Sequence, residues 1–253
     1  MIAVFLYRRC GAVLWTAALL TVTILVVACS NGSSTNRGEQ APQISHVHGL
    51  GVNPADNAVY VATHYGLFRI DRGTARLVGQ ERNDFMGFTV AGPDTFLASG
   101  HPAAGSISPP NAGLIESTDA DKTWRKRSLT GQADFHALDY NHGTAYGYDA
   151  DSATLRASTD GGRTFASPRN AAVQMLLAWP ASTSLYGLDP AGTLSVSTDV
   201  GDTWKRVSEI PGGAPQAFTA GDARRLLAAT TDGIYESRNT GATFTRLLRL
   251  STG

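Results

Sequence analysis

Residues Ser197–Trp204 read STDVGDTW, and the chain writes close variants of this stretch three more times. STDADKTW begins at Ser117, STDGGRTF at Ser158 and SRNTGATF at Ser237, so successive starts lie 41, 39 and 40 residues apart. Each copy keeps a short acceptor side chain at its third position: Asp119, Asp160, Asp199 or Asn239. Such a side chain can bind backbone N–H groups where a hairpin turns. Gly162, Gly201 and Gly241 supply the positive φ that tight turns need. Trp124, Phe165, Trp204 and Phe244 close the copies and return an aromatic ring to the space between repeats. A period near forty with four short strand-like runs per unit is that of a β-propeller blade.

The eight-residue pattern resembles the Asp-box, also called the bacterial neuraminidase repeat. The resemblance implies an all-β chain folded as a single propeller. It implies no activity, because one fold hosts many functions. From Ser45 to about Leu250 the repeats align into five units, beginning near His46, Asp84, Asp134, Val173 and Ala214. In the second unit the four strands are GFTVAG, TFLASG, GLIES and TWRKRSL. In the first they are GLGVN, AVYVAT, GLFRID and ARLVG, without an Asp-box. Alternation and β-branched or aromatic content support strands throughout. A five-bladed propeller over residues 45–250 is the expectation, with six blades or an unusual closure as the alternative.

The N-terminal residues 1–28 stand apart from this domain. Arg8 and Arg9 precede an uncharged run from Cys10 to Ala28, which reads as a signal segment. Its end, Val26-Val27-Ala28-Cys29, resembles a bacterial lipobox. That resemblance implies cleavage before Cys29 and lipid modification of Cys29, with an uncleaved anchor helix as the alternative. Either way the expected location is the extracytoplasmic face of the cell membrane, with the membrane as a partner through the anchor. Residues 29–44 then read as the lipidated cysteine and a polar tether. The two cysteines, Cys10 and Cys29, leave the folded part without disulfide or thiol chemistry. Without Arg8 and Arg9 the chain carries 19 basic and 21 acidic residues, a balance with no footprint for nucleic acid.

In a propeller, the start of each innermost strand and the end of each second strand share one face; the Asp-box hairpins lie on the other. Aligning the repeats puts His48, Met86, His136, Met175 and Gln216 at one inner-strand position around the axis. His46, Asp84 and Asp134 stand beside it, and His64 and His101 end second strands. Five of the six histidines, and both methionines other than Met1, therefore gather on one face. Imidazole with thioether and carboxylate is a ligand set for copper or zinc. The candidate ligands are His46, His48, His64, Met86, His101, His136 and Met175, with Asp84, Asp134 and Gln216 behind them. Recognition of a small ligand, or acid–base work, is the other use of such a face.

HVHGLGVNP, ATHYGLF, FMGFTV, ASGHP, GLIESTD and ADFHAL resemble motifs of a bacterial lipoprotein family with Asp-box propellers, often labelled glycosyl hydrolase-like or exo-sialidase-like. Sialidases of this fold use an arginine triad, a tyrosine nucleophile paired with glutamate, and an acidic aspartate. Here no arginine stands at an inner-strand start, and Phe68-Arg69-Ile70-Asp71 is similar to the sialidase FRIP motif only in part, lacking the proline. Asp84 and Asp134 are the carboxylates left for hydrolase catalysis. The resemblance also extends to propellers that bind protein partners. The insertion HPAAGSISPPNAG, starting at His101, is about ten residues longer than its counterparts and would overhang the histidine face.

Overall fold

The computed structural model describes Ile44 and residues 46–221 and 224–250. The expected signal segment, Cys29 and the tether up to residue 43 lie outside the described residues. Within the described residues the chain forms twenty strands and no helix, hence no helix long and apolar enough to cross a membrane. The strands make five four-stranded antiparallel sheets, the blades of a five-bladed propeller.

Each blade is one contiguous stretch. The first holds β1 (Val47–Val52), β2 (Val59–Thr63), β3 (Gly66–Asp71) and β4 (Thr74–Leu77). The second holds β5 (Asp84–Gly92), β6 (Thr95–His101), β7 (Leu114–Ser117) and β8 (Arg125–Ser128). The third has β9 (Phe135–Asn141), β10 (Thr144–Asp149), β11 (Thr154–Ser158) and β12 (Arg169–Asn170). The fourth has β13 (Met175–Ala178), β14 (Leu185–Leu188), β15 (Thr193–Ser197) and β16 (Lys205–Glu209). The fifth has β17 (Pro215–Ala220), β18 (Leu226–Thr230), β19 (Gly233–Ser237) and β20 (Thr245–Arg249). β12 is two residues long because Pro168 stands just before it and offers no N–H to a ladder.

The repeated stretch builds the hairpins at one end. Ser197 Oγ donates to Asp199 Oδ1 at 2.8 Å and accepts the Gly201 N–H at 2.8 Å. Asp199 in turn accepts Thr203 N–H at 2.9 Å and Thr203 Oγ1–H at 2.5 Å. The copies at Ser117 and Ser158 make the same bonds. In the fourth copy Asn239 accepts from Thr243 N through Oδ1 but donates to Thr243 Oγ1 through Nδ2. The hydroxyl and amide donors of Thr123 and Thr203 hold Asp119 and Asp199 down to about 2.

The core lies between blades. Four apolar clusters fill the gaps between blades one and two, two and three, three and four, and four and five. Against each packs one closing aromatic of a repeat, in order Trp124, Phe165, Trp204 and Phe244. The hairpin glycine sits on the preceding blade: a Cβ on Gly201, at φ 88°, would lie 2.4 Å from Leu155 Cδ2. In the first copy that place is taken by Asp121, at φ 76°. It is buried, accepts the Trp124 indole N–H, and leaves Oδ2 without a partner among the described residues. Burial pushes its carboxyl up to about 7.

One boundary differs from the rest. Gly49 and Gly51 of β1 lie against Phe88 and Val90 of β5, so by alternation Leu50 and Val52 point the other way, off the second blade. They are 66% and 56% exposed, whereas the corresponding Phe88 and Leu138 are 5% and 8% exposed. Among the described residues, neither terminal blade borrows a strand from the other end of the chain to close the ring.

Candidate metal centre

The inner-strand position picked out by the repeat alignment is a β-bulge in four of the five blades; in the fourth, Met175 pairs with Leu188 without a shift. In β1, Val47 pairs with Thr63 and Gly49 with Ala62, which leaves His48 as the extra residue. The same shift leaves Met86 extra in β5, His136 in β9 and Gln216 in β17. A bulge bends the strand and re-aims the unpaired side chain. Side chains there can leave the two-faced alternation and serve the rim around the axis.

Three histidines of the first blade meet there. His46 Nδ1 lies 3.0 Å and His48 Nε2 3.2 Å from His64 Nε2. All three nitrogens fall within 4.8 Å of one another. His64 Nδ1 is 2.8 Å from Asp84 Oδ1 on the second blade. A carboxylate accepts, so Nδ1 carries the proton and Nε2 presents its lone pair to the other two rings. Burial, then the neighbouring His64 and His46, holds the His48 imidazole below its ordinary value and favours the neutral form that metals bind.

A second group forms between blades two and three. His136 Nε2 is 2.8 Å and His101 Nε2 3.6 Å from Asp134 Oδ2. Pairing of β5 with β6 puts Asp84 opposite His101, so Asp84 stands between the two groups. The hydrogen bond to Asp134, with the charges of Asp134, Asp151 and Asp84, raises His136 above its ordinary value. The long insertion takes part: Pro110 O lies 3.0 Å from His101 Nδ1. Nothing in the residue pattern signals that contact, because a backbone carbonyl has no sequence signature.

The other candidate ligands have different surroundings. Met175 packs against the apolar cluster between blades four and five. Gln216 Nε2 donates to the carbonyls of Pro215 and Ala214, at 3.1 and 3.4 Å. Met86 is half-buried at its bulge. Away from this face, Glu116 pairs with Arg127 and Glu236 with Arg225 and Arg238.

No family model matches the sequence, and no curated protein does. Solved propellers resemble the fold. A structure described as a nidogen/laminin complex superposes with TM-score 0.62 and 14% identity, over 79% of this chain and 78% of that one. YCF48 bound to D1 peptide gives TM-score 0.51 and 12% identity, over 82% and 68%. The WD40 propeller domain of Doa1 gives 0.51 and 14%, over 81% and 69%. At such identities the likeness is one of fold alone.

Proposed function

We propose that the histidine face binds a transition metal ion, copper or zinc, through His46, His48 and His64, with Asp84 orienting His64. The carrying observation is the convergence of three imidazole nitrogens, with those of His46 and His48 at 3.0 and 3.2 Å from that of His64. Ligand nitrogens about 2.0–2.1 Å from a tetrahedral ion stand roughly 3.3 Å apart, so little rearrangement is needed. A His whose other nitrogen is held by a carboxylate is a recurring metal-ligand arrangement. Three protein ligands leave a fourth position open for a small molecule or for hand-over of the ion.

The measurement is thermal unfolding of the full-length chain with Zn(II), Cu(II) or Cu(I), with bound metal counted. Metal at a hundred times its dissociation constant stabilises by about 2.7 kcal/mol. His48→Ala with His64→Ala removes that gain while the apo protein melts as before. A folded double variant that binds metal as tightly as the parent overturns the reading. Glycoside substrates, against Asp84 and Asp134, are then the next class to test.

A second reading is a surface for a peptide or protein partner. Tyr65, beside His64, and Ile107, in the insertion, are both exposed. Propellers of similar fold are described in complex with a D1 peptide and with laminin. The further reading of export and anchoring rests on Arg8, Arg9 and the Val26–Cys29 stretch. Replacing Cys29 with alanine abolishes incorporation of labelled fatty acid; continued labelling sinks the anchor.

A further inference from the structure

The first blade's histidines account for only half of the face. His101 Nδ1 sits 3.0 Å from the carbonyl of Pro110, and a carbonyl can only accept. Nδ1 therefore holds a proton, and whenever the ring is neutral a bare Nε2 faces Asp134 Oδ2, 3.6 Å away. That puts one acceptor against another. Asp134 is 5% exposed at its side chain, and its Oδ1 is buried with no partner among the described residues. The other oxygen, Oδ2, accepts from His136 Nε2–H at 2.8 Å. A buried carboxylate with one oxygen unanswered costs free energy unless a donor or a cation completes it, and here two imidazoles stand ready to share a cation with it.

We propose that His101, Asp134 and His136 form a second ion site, separate from the three-histidine set and different in ligand chemistry. It rests on the reading of this face as metal-binding. Its ligand atoms lie within 4.8 Å of one another, as those of the first set do. Two imidazoles and a carboxylate suit a divalent ion of the Zn(II) class; the hard carboxylate disfavours Cu(I), which an all-imidazole set accepts. Pro110 O does for His101 what Asp84 does for His64, fixing the tautomer from behind. The insertion thereby gains a role, since it brings a rigid Pro109-Pro110 carbonyl over the rim to hold one ligand. Asp84 lies between the sets and lends negative charge to both.

The test counts ions. Full-length protein is loaded with excess Zn(II), freed of unbound metal and assayed for zinc per chain; Cu(I) is titrated separately, without oxygen, against a chromophoric chelator. The expected result is two Zn(II) and one Cu(I). His101→Ala and Asp134→Asn each lower zinc to one and leave Cu(I) at one. His64→Ala lowers zinc to one and removes Cu(I). His101 is partly exposed, so its variant serves if Asp134→Asn does not fold. A parent that binds one zinc, unchanged in His101→Ala, overturns the second site and leaves the first intact. Loss of both ions in His101→Ala overturns it as well, because the two sets would then be one site. A parent that binds neither metal overturns both readings.

Discussion

The two ends of this propeller use their repeats in opposite ways. At the hairpin end, Ser–x–Asp/Asn and a following Thr make nearly the same bonds four times over. At the other end, the bulged position changes from blade to blade, as His48, Met86, His136 and Gln216. Repetition marks the residues the fold needs, and departure from it marks those the fold can spare. Variants should accordingly separate stability from binding by the end they strike.

Gly201→Val is the largest expected break. It forces a branched side chain into φ 88° and onto Leu155, whose methyl a Cβ would approach to 2.4 Å. A loss on the order of 3–5 kcal/mol in urea unfolding is expected; a loss below about 1 kcal/mol would mean the hairpin is not built as described.

Asp121→Asn follows, and it should stabilise. The folded carboxyl titrates at about 7, against 3.8 for an ordinary aspartate. The folded state therefore holds a proton that the unfolded chain releases, and stability falls as pH rises from about 4 to 7. Asparagine keeps the acceptor for Trp124 and tolerates positive φ, but cannot ionise. Melting temperatures of parent and variant should diverge by several degrees above pH 7 and converge near pH 4. Parallel profiles would refute the buried charge.

Asp199→Ala comes third, with a lower melting temperature at neutral pH. The depressed carboxyl values of Asp119 and Asp199 imply the opposite sign: their contribution is present above about 4 and is lost as pH falls toward 2. In Asp199→Ala this acid-side loss should shrink. Last comes His64→Ala, within about 0.5 kcal/mol of the parent without metal, because it lies on a half-exposed rim. A large apo destabilisation there would make the histidine cluster structural and erase the contrast between the two ends.

The hairpin end was legible because its bonds are local. Ser197 reaches Asp199 and Gly201, and Asp199 reaches Thr203, all within seven residues. Aligning such units gives five blades and also points to the bulged position, since alignment carries any residue at a fixed offset. Side-chain direction is another matter. His64 meets His46 across 18 residues, and His101 meets Asp134 across the boundary between two blades that only the folded chain brings together. Met175 joins the same aligned ring, yet its thioether packs into an apolar cluster. Asp121 does carry a sequence signal: it is the one copy with an acid where the others keep glycine.

The bulges have an evolutionary consequence. A residue that is extra to the ladder contributes no strand pairing of its own, so its replacement leaves the register of the blade intact. Inheritance can therefore rewrite the rim one blade at a time, exchanging imidazole for thioether or amide, without first re-solving the folding problem. Selection on ligand choice and selection on foldability then act on nearly disjoint sets of codons.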